Sequence, residues 1–183
     1  MRFAYPFQPG VALHLVQRDP DRAPCFASAL ERLAYLAILR DAAARFRCAV
    51  HAYVLMGNHA HVLLTPWREQ SATLLMRSLG EGGASPLAGA RPCAGTAWRE
   101  HFEATPLYVR RHLLASMRYI ELNPGRAGIV ARPGDFRWSS YRANALGLED
   151  PLVTPHALYC ALGRSPELRR AAYRSSFPRA KLR

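Results

Sequence analysis

The sequence predicts one domain that contains both strands and helices, and three observations indicate this class. The chain has 183 residues, a length that fits a single domain with a small appendage. Half of its residues are hydrophobic, which is enough for a buried core. Short apolar segments bounded by turn residues occur together with longer segments of helical periodicity, so both kinds of element are expected around that core.

The first half of the chain predicts three strands and two helices. A strand is predicted over residues 11–16, and residues 49–65 predict two strands around a tight turn at Gly57 and Asn58. Residues 27–46 have the apolar spacing of a helix, and residues 71–79 predict a shorter one. The residues expected to face the core from these helices are Leu30, Leu33, Ala34, Ala37, Ile38, Leu74, Leu75 and Leu79.

The second half begins with a segment rich in glycine and proline, residues 80–95, which predicts a flexible loop. Thr105 and Pro106 then match the N-cap and first position of a helix. This helix is predicted to run to about Leu122 and to end before Pro124. Further helical segments are predicted over residues 156–162 and 166–173.

Composition favours a cytoplasmic protein that binds a polyanion. The chain contains 25 lysine and arginine residues against 13 acidic ones, a net charge of +12, and nucleic acid is the first partner this suggests. No apolar segment approaches membrane-spanning length, and the N-terminus lacks the pattern of a signal peptide. The widely spaced cysteines form no zinc-binding pattern and fit a reducing compartment: Cys25, Cys48, Cys93 and Cys160.

The most specific chemical signal is the pair His59 and His61 at the start of a predicted strand. Alternate side chains of a strand share one face, so both imidazoles project from the same rigid surface. Two imidazoles form half of a metal site, which needs only one or two further ligands from elsewhere. Packing or chance is the competing explanation of such a pair.

A second set of polar residues lies on the helix predicted after Thr105. Leu113, Met117 and Ile120 form its apolar stripe, and Tyr119 lies well off that stripe. Asn123 follows Tyr119 by four residues and returns to nearly the same face. A phenol can attack a phosphodiester and form a covalent phosphotyrosine, and a divalent cation bound by two imidazoles and one amide oxygen would assist it. That ligand set suits Mg²⁺ or Mn²⁺.

Four segments of the chain resemble those of the REP-associated tyrosine transposases, a branch of the HUH single-tyrosine transposases. They are residues 13–18, the stretch from His51 to His61, the stretch from Met117 to Pro124 with residues 126–128, and residues 138–141. The second and third segments together are specific, whereas either alone would be weak. In order and spacing the four segments cover most of the chain.

The resemblance implies an α+β, ferredoxin-like fold, with an antiparallel sheet, helices packed on one face and a small helical C-terminal extension. Residues 1–130 would form the catalytic domain and residues 131–183 the extension packed on it. By analogy with the family, Tyr119 is the nucleophile, and His59, His61 and Asn123 hold Mg²⁺ or Mn²⁺. The family cleaves single-stranded DNA beside hairpin-forming repeats, leaves a 5′-phosphotyrosine and transfers strands by the reverse step. The C-terminal segment favours a monomer over a homodimer.

Several assignments stay open at this stage. The arginines expected to contact DNA phosphates are Arg18, Arg99, Arg110, Arg111, Arg118 and Arg126, although any one can be a solvated surface charge. His14 can contact the site or DNA, or be a core histidine. Trp138 and Tyr141 can stack on bases, but packing is the favoured interpretation. The competing function is a non-catalytic nucleic-acid-binding protein of the same fold with a decayed site. A metal-dependent amidohydrolase barrel is excluded because that fold needs about 250 residues.

Overall fold

A four-stranded antiparallel sheet is the centre of the protein in the computed structural model, which describes residues 7–18, 24–81 and 102–177. The strands lie in the order β2–β3–β1–β4. They are β1 (Leu13–Arg18), β2 (Cys48–Leu55), β3 (His59–Pro66) and β4 (Phe102–Pro106). Helix α1 (Ala29–Arg45) connects β1 to β2, and α2 (Ser71–Gly80) follows β3. This order is the ferredoxin-like arrangement, so the predicted α+β fold with an antiparallel sheet is confirmed.

The β2–β3 hairpin determines where the histidine pair begins. The backbone N–H of Met56 donates to the His59 carbonyl at 2.9 Å and closes the turn at Gly57 and Asn58. The Gly57 carbonyl accepts the N–H groups of Cys25 and Phe26 at 2.8 and 3.0 Å. The turn is therefore stabilised both by its own hydrogen bond and by the segment before α1, and β3 starts at His59, as the sequence predicts.

Helices α1 and α2 cover one face of the sheet, where they enclose the larger hydrophobic cluster. The buried face of α1 consists of Ala34, Tyr35, Ile38, Leu39, Ala42 and Ala43. Leu30 and Leu33 were expected to face the core, but each is 44% exposed, and Leu74 of α2 is also exposed. Tyr35 lies on the buried face, and its hydroxyl donates to the buried Gln17 Oε1 of β1 at 3.0 Å.

The opposite face of the sheet is covered as well, by the helix that carries Tyr119. Helix α3 (Arg110–Arg126) packs there through Leu113, Met117 and Ile120. The reason lies in β2 and β3, because their apolar residues point to both faces of the sheet and both faces must be covered. Those on the α3 side include Ala52, Val54 and Leu63.

The predicted boundaries of the helix that became α3 were wrong at both ends. Thr105 and Pro106 do not start a helix but end β4, an edge strand, where proline is tolerated because its missing N–H need not serve the sheet. The helix starts at Arg110 and continues through Pro124 to Arg126. Pro124 falls in the last turn of α3, where one missing backbone hydrogen bond interrupts little of the helix.

Residues 131–177 lie against β2 and α3 and contain two α-helices, α4 (Ala157–Cys160) and α5 (Pro166–Ser175). A 3₁₀ helix (Pro133–Asp135) and a π-helical segment (Arg142–Leu146) precede them. Residues 131–177 cover the outer edge of β2 through backbone hydrogen bonds. The Leu55 N–H donates to the Trp138 carbonyl at 2.9 Å, and the Thr154 N–H donates to the Val50 carbonyl at 2.7 Å. The division into a catalytic domain and an extension at residue 130 stays a prediction. None of the helices in the described ranges is long and apolar enough to span a membrane.

A buried carboxylate joins α3 to this C-terminal segment. Glu121 is fully buried, and its oxygens accept hydrogen bonds from Ser140 Oγ, Asn144 Nδ2 and the Tyr173 hydroxyl at 2.7, 2.8 and 2.7 Å. Burial raises the pKa of Glu121 to about 7, against the effect of the three hydrogen bonds. The side chain thus fixes the helix that carries Tyr119 and faces away from that tyrosine, as the helical spacing predicts.

Most of the predicted loop 80–95 lies outside the described residues. Gly80 is the last residue of α2, and Glu81 follows it as the C-cap.

Candidate active site

The two histidines of β3 project from the face of the sheet that carries α3. Strand alternation sends Ala60 and Val62 into the cluster under α1 and α2, and His59 and His61 to the other side. Their ring centroids lie 4.9 Å apart with the planes nearly perpendicular. His61 is buried and His59 is half-buried, so the pair stands at the border between core and solvent.

The hydrogen bonds of both rings determine which nitrogen is free to bind a ligand. His59 Nδ1 lies 2.7 Å from Asn58 Oδ1 and must donate, since an amide oxygen only accepts. Asn123 Nδ2 donates to His61 Nε2 at 3.2 Å, so the neutral His61 ring carries its proton on Nδ1. That Nδ1–H donates to His14 Nε2 at 3.0 Å. Both imidazoles therefore have Nδ1 engaged and a lone pair on Nε2.

All three rings are held in the neutral form that a metal ligand requires. Burial lowers the pKa of His61 to about 3, and the charge of Arg18 adds to this effect, as would any proton on His14 or His59. Burial also lowers the pKa of His14. For His59, burial and then the charge of Arg18 lower the pKa.

Helix α3 brings Tyr119 to the histidines. Because Leu113, Met117 and Ile120 are buried, Tyr119 is turned out of the core and is 43% exposed. Its ring centroid lies 5.8 Å from that of His61 and 6.1 Å from that of His14, both in edge-to-face contact. Asn123, one helical turn later, reaches the same imidazole. The phenol, the amide and the imidazoles predicted from the sequence thus come together within one chain.

The predicted DNA-binding arginines lie at different distances from this centre. The Arg126 guanidinium stands 5.3 Å above the Tyr119 ring, and Arg118 lines a cavity with both residues. Arg18 pairs with His59 across the sheet and is exposed. Arg110 and Arg111 are exposed at the start of α3, roughly 13 Å along the helix axis from Tyr119 at 1.5 Å per residue.

Arg99, the last of the predicted DNA-binding residues, lies outside the described residues.

The spacing of His61 and the Asn123 amide is compatible with two ligands of one divalent cation. Within residues 7–18, 24–81 and 102–177, no group of three or more His, Cys, Asp or Glu side chains could hold a metal ion. His61 Nε2 and the Asn123 amide, however, are 3.2 Å apart. Ligands at adjacent corners of an octahedron about 2.1 Å from the ion lie about 3.0 Å from each other. The Asn123 amide can rotate by half a turn to present Oδ1 at this position.

His14 is the residue of the site that the sequence left undecided. It lies on β1 with its ring on the α3 face, while Leu13 and Leu15 face the other cluster. In the antiparallel register, Val16 is opposite His61, so His14 is the diagonal neighbour of that histidine. The alternation of β1 places His14 on the same face as Val16. Only the pairing of β1 with β3 shows that His14 meets His61.

Comparison with known proteins relates this chain to solved structures only. No family model matches it. No curated protein matches it either. A REP-associated tyrosine transposase, solved bound to a REP hairpin, aligns with a TM-score of 0.57 and 14% identity over 85% of this chain and 92% of that chain. A candidate transposase from Deinococcus radiodurans aligns with a TM-score of 0.44 and 19% identity over 67% of this chain and 97% of that one. The first of these alignments shows that the two proteins share a fold.

Proposed function

We propose that the protein is a metal-dependent single-stranded DNA endonuclease and strand transferase that works through a covalent 5′-phosphotyrosine at Tyr119. The observation that carries this proposal is the position of the Tyr119 ring. Its centroid lies 5.8 Å from that of the His61 ring, and the side chain is partly exposed. A solvent-accessible phenol beside neutral imidazoles is suited to attack on a phosphodiester. The shared fold with a REP-associated tyrosine transposase supports the same activity.

In the proposed reaction, the Tyr119 oxygen attacks the scissile phosphorus while the bond from phosphorus to the 3′-oxygen breaks. The phenolic proton passes to solvent, and the leaving 3′-oxygen takes up a proton to become a free hydroxyl. The strand that follows the cleavage site stays attached through its 5′-phosphate. Strand transfer is the reverse step, in which another 3′-hydroxyl attacks the phosphotyrosine. Because the phosphodiester energy is conserved, the reaction needs no nucleotide cofactor.

His59, His61 and Asn123 would hold the cation, with Mg²⁺ and Mn²⁺ as the candidates. When bound, the cation polarises the scissile phosphate and offsets the negative charge that develops on its oxygens. The task of the protein is to keep both Nε2 atoms unprotonated. Asn58 and His14 do this by occupying the two Nδ1 atoms.

The basic surface would supply contacts to the DNA backbone. Arg18 lies opposite His59 in the sheet, Arg118 and Arg126 lie beside Tyr119, and Arg110 and Arg111 extend the charge along α3. Single-stranded DNA beside a hairpin is the proposed substrate, and Arg99 is kept as a proposed phosphate contact from the sequence alone. The proposed unit is a monomer, because Tyr119 meets His61 of the same chain and one copy provides all the proposed groups.

Covalent capture tests the proposal. Wild type, Tyr119→Phe and Tyr108→Phe are incubated with a library of hairpin oligonucleotides with randomised single-stranded flanks and Mn²⁺, then separated on denaturing gels. Tyr108 is the matched control because it is 69% exposed and lies just before α3. We expect an adduct in wild type and Tyr108→Phe, none in Tyr119→Phe, and none in wild type with EDTA.

If wild type binds the library but forms no adduct, the protein is the alternative, a nucleic-acid-binding protein of this fold without catalysis.

A further inference from the structure

A cavity of about 880 Å³ opens beside Tyr119, between α3 and residues 131–177. Its volume falls within the range of roughly 300–1,000 Å³ typical of ligand pockets. The described residues that line it include no acidic side chain and four arginines: Arg118, Arg126, Arg132 and Arg174. Such a lining attracts an anion. Because the cavity lies next to the proposed nucleophile, the anion it would bind is part of the DNA substrate.

The guanidinium groups are available for phosphates. Among the described residues, none of the four takes part in an ion pair. Arg174 Nη1 donates to the Ala145 carbonyl, which holds the side chain in place and leaves its other N–H groups free. Arg126 rests on the Tyr119 ring, and Arg132 is exposed. Of the four arginines, Arg126 and Arg174 are thus held in place by contacts, and Arg132 is exposed to solvent.

Aromatic rings form the far wall of the cavity. Tyr141 and Phe177 meet edge to face with centroids 5.2 Å apart, and Phe177 contacts the buried Tyr173 in the same way at 5.1 Å. A ring fixed by its neighbours is a surface on which a base can stack. Positive charge and aromatic rings in one groove are the two features that single-stranded nucleic acid requires.

We propose that this cavity holds the first nucleotides on the 3′ side of the scissile phosphate, the part of the substrate that stays attached to Tyr119. This inference rests on the proposed function. Attack by the phenol leaves the 5′-phosphate on Tyr119, so the attached strand begins at that ring. The cavity lies against the same ring, and its arginines can bind the following phosphates while Tyr141 receives a base.

Equilibrium binding of a product mimic tests the inference without cleavage. The probe is 5′-phosphorylated hexathymidylate with a 3′ fluorophore, and anisotropy is measured without metal for wild type, Arg132→Ala and Arg164→Ala. Arg132 is the chosen target because it is exposed and its replacement leaves the core intact. Arg164 is the control, an exposed arginine of the same C-terminal segment that does not line the cavity.

We expect Arg132→Ala to bind the probe about 5-fold more weakly at 0.1 M salt and to lower the slope of log affinity against log salt by about 0.7, the value for one contact to a single strand. Arg164→Ala should stay within about 2-fold of wild type, as a surface arginine without a phosphate contact would. With 5-iodouracil at the first position, irradiation should crosslink the probe to the peptide that contains Tyr141 or Phe177.

The inference is overturned if Arg132→Ala binds as wild type does, if Arg164→Ala loses as much affinity, or if the crosslink forms outside the cavity. Its failure is distinct from that of the proposed function. A protein that binds the probe as expected but forms no adduct keeps the cavity assignment and loses the catalysis. A protein that forms the adduct while Arg132→Ala binds normally loses only the cavity assignment.

Discussion

Replacing His14 by alanine removes the ring that accepts the Nδ1–H of His61 at 3.0 Å. The loss leaves a buried donor without a partner, which costs about 1–3 kcal/mol unless the His61 ring turns or changes tautomer. A turn of the ring redirects the Nε2 lone pair away from Asn123, and a change of tautomer puts a proton on Nε2. Loss of such an outer hydrogen bond to a metal-bound histidine lowers metal affinity about 10–100-fold, and this is the expected effect of His14→Ala on Mn²⁺ binding.

The assay follows free Mn²⁺ by electron paramagnetic resonance during titration with protein, so neither DNA nor cleavage is needed. His112→Ala is the matched control, since His112 is an exposed histidine of α3 away from the pair. His14→Gln should restore part of the affinity because its amide oxygen can accept the same proton. If His14→Ala binds Mn²⁺ within about twofold of wild type, or if His112→Ala loses as much, then the role assigned to His14 is refuted.

Two further predictions concern stability. Burial lowers the pKa of His51 to about 4, so its share of the stability is complete above pH 6.5 and is lost as the pH falls towards 4. Relative to His51→Gln, wild type should thus lose roughly 3 kcal/mol of unfolding free energy between pH 7 and pH 4 in urea titrations, and a difference that does not change with pH would contradict this. Glu121→Ala should lower the unfolding free energy by about 3–5 kcal/mol, because the Tyr173 hydroxyl and an Asn144 N–H lose their acceptor and Ser140 Oγ keeps only the Tyr53 carbonyl at 3.3 Å. A loss below about 1 kcal/mol would show that these donors find other partners.

The sequence was most informative where local signals agree with the tertiary structure. The turn at Gly57 and Asn58 and the strand that starts at His59 follow from short-range chemistry, and the hairpin forms as predicted. The spacing of Leu113, Met117 and Ile120 correctly placed Tyr119 off the buried stripe of its helix. The roles of Tyr119, His59, His61 and Asn123 came from the family resemblance, and they stay predictions that the geometry supports.

The errors arose where a local pattern had two solutions that only the tertiary structure distinguishes. A Thr-Pro pair can begin a helix or end an edge strand, and the pairing of Pro106 with Leu13 selects the strand. Leu33 lies near the border of the apolar stripe of α1, and the face that packs on the sheet includes Tyr35 and Leu39, which leaves Leu33 exposed. The contact between His14 and His61 depends on sheet register, which one sequence does not specify.

The most direct test of the central claim is to locate the nucleotide in the adduct of wild-type protein with hairpin-flanked DNA. After nuclease digestion, trypsin releases residues 119–126 as a peptide in which Tyr119 is the sole tyrosine. The account predicts that mass spectrometry finds the nucleotide on this peptide and that Asn123→Ala reduces its yield. A nucleotide attached to any other residue, Tyr108 included, would contradict the claim that the phenol beside His61 is the nucleophile.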